Sequence, residues 1–294
     1  MNFHQHTFTA MASPCKFLLQ GDSHHIKQAC LKAQAEVQRI EEKFSRYRQD
    51  SLLQAINNNA GIKATPIDEE TAGLLNYAQL CHQQSDGLFD ITSGILRQAW
   101  DFKSNTLPNE QKLQVLLPLI NWSSVQWDHH SVFLPQKKME IDFGGFGKEY
   151  AADRAAEVFQ SLGILHGLVD LGGDIRIIGD KTDESGWNIG IRDPQQPESA
   201  ISYVTLHQGA MATSGHYERF MMVDDQRYCH ILKANTGWPV NHWASVTVLA
   251  PQCLVAGSLA TLTMLAEKGG ADWLQEQGAS FLAIDNQGAR ISNL

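Results

Sequence analysis

The chain has 294 residues, 43% of them hydrophobic and 19% charged, with a formal net charge of −9. That length supports one large domain or two subdomains sharing a core, and the acidic balance argues against a nucleic-acid binder. No apolar stretch is long enough to span a bilayer. The opening MNFHQHTFTA lacks the basic start and apolar run of a secretory leader, so a cytoplasmic protein that is not membrane-inserted is expected. Cys15, Cys30, Cys81, Cys229 and Cys253 are scattered with no C-x-x-C pair, which suits reduced thiols.

In chain order, CKFLLQ (15–20) reads as a strand. Ile26, Cys30, Ala33, Val37, Ile40 and Phe44 recur at spacings of four and three, one face of a helix. A polar turn follows around Arg46 to Ser51, then a short helix over 52–57. After Pro66, Asp68 is placed to cap a second long helix, with Glu69 and Glu70 in its first turn. Leu74, Leu75, Ala78 and Cys81 form its inner face, and it ends near Asp86-Gly87. Pro108 and Pro118 bracket a helical run over 110–117, and 124–141 alternates enough for two or three short strands. Next come a strand ending at Asp142, a glycine turn, and a helix over 148–162 stopped by Gly163. From 165 to 249 strands dominate, YCHIL (228–232) among them. A helix near 254–267, another over 270–277 and a strand at FLAID (281–285) close the chain. Helices early and late around a strand-rich middle predict an α+β fold.

The stretch IDFGGFGKEY (141–150) carries the strongest chemical signal. Gly144, Gly145 and Gly147 let backbone N–H groups approach a ligand, and the following helix N-terminus favours an anion. The spacing is neither that of a Walker loop, where a Ser or Thr would stand in place of Glu149, nor that of a dinucleotide fingerprint. Phosphate binding and a purely structural glycine turn both remain open on these residues alone. In SDGLFDITSG (85–94), Asp90 either contacts a polar ligand or caps its own turn. His216 and His230 are candidate acid–base groups. Thr261 offers a hydroxyl from a helix that otherwise reads as close-packed. No His, Cys and Asp cluster has zinc-ligand spacing.

Eight segments in one order, AMASPC, FSRYRQDSLLQAIN, DGLFDITSG, IDFGGFGKEYAADRAAE, LVDLGGDIR, ATSGHYERF, YCHILKANTGWPV and VTVLAP…AGSLAT, resemble the ApbE-type FAD:protein FMN transferase family from Met11 to about Gly269. The resemblance implies one domain over 1–294, a mixed-sheet fold of two lobes, with FAD, the donor, in the cleft between them. It implies transfer of FMN to a Thr or Ser of a target flavoprotein, with release of AMP. Met11 and Tyr47 would line the flavin or adenine pocket. Leu88, Phe89 and Asp90 would form a turn against FAD, and Asp142, Lys148, Thr213 and Ile231 would complete the dinucleotide site. His230 would be the catalytic histidine, with Lys148 as a fixed positive charge on the pyrophosphate.

Two departures concern the magnesium site that the resemblance implies. It would use a carbonyl in the glycine turn (Gly145) and Thr261, but Gly257 stands where the family carries an Asp. The family's H-I-I-D-P is His230-Ile231-Leu232-Lys233-Ala234 here. Either Lys233 replaces part of the metal's charge, or Ser258, Thr261 and waters still hold magnesium. A non-catalytic FAD-binding protein and an FAD pyrophosphatase are the alternative activities.

Overall fold

The computed structural model describes residues 3–104, 106–196 and 198–294. The chain opens as a hairpin, β1 (Phe3–Ala10) and β2 (Ser13–Gln20), followed by α1 (Ser23–Phe44), α2 (Leu52–Asn58), β3 (Thr65–Pro66) and α3 (Glu69–Gln84). A 3-10 segment (Ile91–Gln98), α4 (Glu110–Leu116), β4 (Gln126–Trp127) and β5 (Ser131–Phe133) lead to α5 (Gly147–Ser161). Then come β6 (Gly167–Leu171), β7 (Asp174–Gly179), β8 (Trp187–Arg192), β9 (Ala200–Leu206), β10 (Ala210–Gly215), β11 (Phe220–Val223), β12 (Gln226–Cys229) and β13 (Trp243–Ala250). The end of the chain is α6 (Cys253–Ala266), α7 (Gly270–Glu276), β14 (Ser280–Asp285) and β15 (Arg290–Ser292).

Eight strands form one sheet in the order β1-β2-β6-β7-β10-β13-β14-β15, antiparallel at every pairing. Successive side chains on a strand face opposite ways, and the sheet uses both faces. Val169, Leu171, Ala212, Val246, Val248 and Phe281 point to the face covered by α1, α5 and α6. Leu168, Ile175, Ile177, Met211 and Leu282 point to the other, under the two-stranded β8–β9 ribbon with Trp187, Ile189 and Ile191. Helix α6 is apolar on nearly every side and correspondingly buried.

The α+β architecture and both long early helices match the sequence reading, and Asp68 caps α3 by accepting from the Thr71 N–H at 3.0 Å. Three local expectations change. A strand, β1, precedes the expected one; as the sheet's edge it alternates exposed and half-buried residues, and the polar run His4-Gln5-His6 interrupts its apolar pattern. The strand expected at Asp142 is an extended segment held from outside any sheet: Asn57 bonds both backbone groups of Ile141, and the Asp142 N–H donates to the Ile91 carbonyl. The strand expected over 228–232 stops at Cys229, and His230 keeps one further backbone bond, its N–H donating to the Arg219 carbonyl at 3.0 Å.

Helices α5 and α6 are locked together by one side chain. Asp153 of α5 accepts from the Cys253 and Leu254 N–H groups at 2.9 and 2.8 Å, capping the otherwise uncapped N-terminus of α6. Arg176 of β7 pairs with the same carboxylate at 3.1 Å. This fixes the register of every residue that α5 and α6 present to one another.

Candidate active site

A cleft of about 2110 Å³ opens between the β1–β2, β6–β7 and β10 side of the sheet and the segments 44–47, 88–94 and 142–149. A small-molecule pocket is typically about 300–1,000 Å³, so this one has room for a ligand larger than an ordinary small molecule. Its rim includes the two-residue β1–β2 turn, where Met11 and Ala12 both sit at positive φ (51° and 56°). That conformation costs a non-glycine residue about 1–2 kcal/mol. Glu41 holds it from α1, accepting from the Met11 N–H at 2.7 Å.

The glycine turn 144–147 delivers the N-terminus of α5 to the cleft without a side-chain cap. Lys148 lies in that first turn and pairs with Asp174 at 2.9 Å. Asp174 is placed by the β6–β7 turn, where Gly172 and Gly173 take φ values of +65° and +97° that favour glycine. A Cβ at Gly172 would also meet Ser13 at 2.8 Å. Burial alone would pull the Lys148 ammonium down, but the Asp174 and Glu149 carboxylates outweigh it and hold it raised. Burial pushes the Asp174 carboxyl up, and Lys148 pulls it back. Lys148 is therefore a permanent cation beside a helix N-terminus, a setting suited to phosphate.

His230 also lines the cleft. Its Nδ1 lies 3.1 Å from the Arg219 carbonyl oxygen. A carbonyl only accepts, so Nδ1 carries the proton and Nε2 keeps its lone pair. Burial, with the charges of Arg219, Lys148 and Arg46, lowers the His230 pKa to about 4 against the raising effect of that hydrogen bond. The imidazole is neutral at physiological pH. His216, by contrast, accepts from Arg227 at 3.3 Å and is not among the cleft's lining residues.

Beside Lys148, Glu149 is 8% exposed and turns toward α6. A Cβ built on Gly257 would stand 2.5 Å from both Cγ and Oε1 of Glu149. The side chain thus occupies the room that an aspartate at position 257 would need. The register explains it: Glu149 is one turn before Asp153 on α5, and Gly257 one turn after Cys253 on α6. Burial, then the charge of Asp174, pushes the Glu149 carboxyl up against the pull of Lys148. Among the described residues, no other residue donates a hydrogen bond or an ion pair to it. One turn along α6, Thr261 shares a 3.0 Å hydroxyl contact with Ser214.

Met11, Tyr47, Leu88, Phe89, Asp90, Asp142, Gly145, Lys148, Thr213, His230, Ile231 and Thr261 all line this cleft. Their exposed chemistry differs. Tyr47 is 76% exposed, with the Arg46 guanidinium over its ring at 5.2 Å from the centroid. Asp90 is spent on structure: one oxygen accepts from the Thr92 N–H and hydroxyl, the other from the Trp122 N–H. It is the turn cap that the local sequence allows. Asp142 pairs with Arg46, a cleft residue the sequence reading missed. Thr213 shares a 2.8 Å hydroxyl contact with Thr247. Lys233 does not face the cleft; it pairs with Glu267 at 3.2 Å, so it supplies no charge at the position of a metal. The chief omission from the sequence reading is Glu149. It was visible only as the residue after Lys148.

Among the described residues no three His, Cys, Asp or Glu side chains are grouped so as to hold a metal ion. What the cleft offers a hard cation is a set of oxygens: the Glu149 carboxylate, the Thr261 hydroxyl and backbone carbonyls of the glycine turn. These fit magnesium, which binds through one or two carboxylates and keeps several waters.

An antiparallel sheet layered with helices, a glycine turn opening a helix at a permanent cation, and a neutral histidine across a large cleft define a protein that handles a phosphate-bearing ligand. The ApbE family model matches residues 11–283. The chain belongs to the ApbE family. It is 27% identical over 272 residues to the FAD:protein FMN transferase of Escherichia coli (strain K12), covering 87% of this chain and 76% of that one. It is 31% identical over 247 residues to the FAD:protein FMN transferase of Treponema pallidum (strain Nichols), covering 76% and 67%. The crystal structure of the ApbE protein of Thermotoga maritima MSB8 superimposes with a TM-score of 0.91 at 30% identity, over 99% of this chain and 97% of that one. The flavin transferase ApbE of Vibrio cholerae shares the fold, with a TM-score of 0.87 at 24% identity over the same shares.

Proposed function

We propose that this protein transfers FMN from FAD to a Ser or Thr hydroxyl of a target flavoprotein. The observation that carries the reading is the union, in one cleft, of a cationic helix start at Lys148 and a histidine whose Nε2 is unprotonated. The glycine turn and Lys148 bind the pyrophosphate. Tyr47 and Met11 at the rim offer an aromatic and an apolar surface to the rings. The acceptor oxygen attacks the FMN phosphorus, the bond from that phosphorus to the AMP oxygen breaks, and Nε2 of His230 takes the hydroxyl proton. The Arg219 carbonyl holds the ring in that tautomer. Pyrophosphate beside Lys148 and Arg46 offsets two of the three cations that depress His230, so the donor substrate itself makes the base stronger. A divalent cation, when bound by the oxygens of Glu149, Thr261 and the glycine turn, adds neutralising charge on the pyrophosphate.

No helix among the described residues is long and apolar enough to cross a membrane. Five buried free cysteines support a cytoplasmic setting, with an acceptor flavoprotein domain facing the cytoplasm. The test is product analysis after incubation with FAD, magnesium and a candidate acceptor domain. Covalent FMN on the acceptor with equimolar AMP is expected. Free FMN plus AMP, with the acceptor unmodified, would make the protein a pyrophosphatase; unchanged FAD would make it a binding protein.

A further inference from the structure

We propose that Glu149 is a carboxylate ligand of a divalent cation held between α5 and α6, and that Gly257 is the residue that clears its place. The proposal rests on the FAD-binding reading of the cleft and adds a metal-ligating residue to it.

Three features point to Glu149. The residue borders the cleft and is buried, its carboxyl turns against α6 at Gly257, and no other described residue donates to it. The neighbouring cation is committed, because Lys148 pairs with Asp174 at 2.9 Å. A buried carboxylate whose one donor is its own backbone N–H is costly, and an anionic pyrophosphate arriving beside it would raise that cost. A divalent cation satisfies both at once. The second feature is the surroundings of the carboxylate. Gly257 and Thr261 are four residues apart on α6 and therefore share a face. The Glu149 carboxyl lies against that face at Gly257, so the Thr261 hydroxyl is one helical turn away. Glu149, Thr261 and the glycine turn border the same cleft. The third feature is steric. With an ideal Cβ only 2.5 Å from Cγ and Oε1 of Glu149, an aspartate at 257 and this glutamate conformer exclude one another. One carboxylate fits between these helices, and here it comes from α5. The Asp153 cap on α6 sets the register that brings the two positions together.

Mn2+ is the probe, titrated into the FAD-loaded protein and followed by the loss of the free-ion EPR signal. FAD binding is measured separately by flavin fluorescence without metal. Wild type is expected to take up one Mn2+ per bound FAD. Glu149→Gln preserves shape and removes charge; it is expected to bind FAD normally and to weaken Mn2+ about 10-fold or more. The reciprocal double variant Glu149→Gly with Gly257→Asp is expected to regain Mn2+ binding. Gly257→Asp alone, with Glu149 in place, is expected to lose thermal stability, whereas the double variant keeps it. A Glu149→Gln protein that binds Mn2+ as tightly as wild type overturns the proposal, as does an FAD-loaded wild type that binds none. Failure to bind FAD at all would instead overturn the reading of the cleft.

Discussion

Replacing Lys148 by Met separates what this residue does for the fold from what it does for the ligand. Its partner Asp174 has a side chain only 4% exposed, whereas Lys148 itself is 24% exposed. Removing one member of a buried pair strands the other charge, which costs about 3–5 kcal/mol. The partial exposure of Lys148 places this case near the lower figure, about 3 kcal/mol. The ligand loses a hydrogen bond between charged groups, about 1.5–3 kcal/mol, or about 10- to 150-fold in Kd. The two effects part in the double variant Lys148→Met with Asp174→Asn. With the stranded charge gone, most of the stability returns, but FAD affinity does not. Urea unfolding measures the first quantity and flavin fluorescence titration the second. A Lys148→Met protein that binds FAD with wild-type affinity refutes the assignment of this residue to the pyrophosphate. A double variant that regains FAD binding along with stability would show that the loss came through the fold.

Other predictions follow from the same geometry. His230→Asn is expected to lower kcat by about 100-fold or more while leaving the Kd for FAD within about threefold, since the histidine acts on the acceptor proton; equal losses in both would place it in binding. The His230 pKa lies below its ordinary 6.5, at about 4. Above 6.5 the ring is neutral whether folded or not. As pH falls from 6.5 toward 4 only the unfolded chain takes the proton, so stability declines in that window, and His230→Asn should flatten the decline. The acid limb of kcat, which reports the FAD-bound enzyme, is expected at higher pH than that of kcat/KM. Asp153→Ala removes the cap of α6 and the partner of Arg176, and is expected to cost about 2–4 kcal/mol in chemical denaturation. Lys233→Ala should change stability by no more than about 1 kcal/mol and leave Mn2+ binding intact. A lost metal response there would restore Lys233 to the site.

Much of this arrangement is legible in the chain before any folding. The apolar spacing from Ile26 to Phe44 is one helix face, and nothing but a long amphipathic helix accommodates it. The glycines of 144–147 and 172–173 mark the two turns that aim Lys148 and Asp174. Other features depend on partners far away in sequence. β1 is an edge strand whose alternation is diluted by polar residues, so it becomes a strand only by pairing with β2. Asp90 looks the same whether it binds a ligand or caps a turn; the Trp122 N–H decides the matter. Lys233 carries a charge of the right sign but faces Glu267. The sequence shows a missing acid at Gly257 and an acid at Glu149 with no visible link. Only the antiparallel register of α5 and α6, set by Asp153, makes one the replacement of the other.

A crystal structure of the protein soaked with FAD tests the central claim directly, because it locates the two phosphates. They are expected beside the Lys148 ammonium and the N-terminus of α5, with the FMN phosphorus open toward Nε2 of His230. A dinucleotide bound elsewhere, or one whose phosphates point away from Lys148 into solvent, would contradict the account.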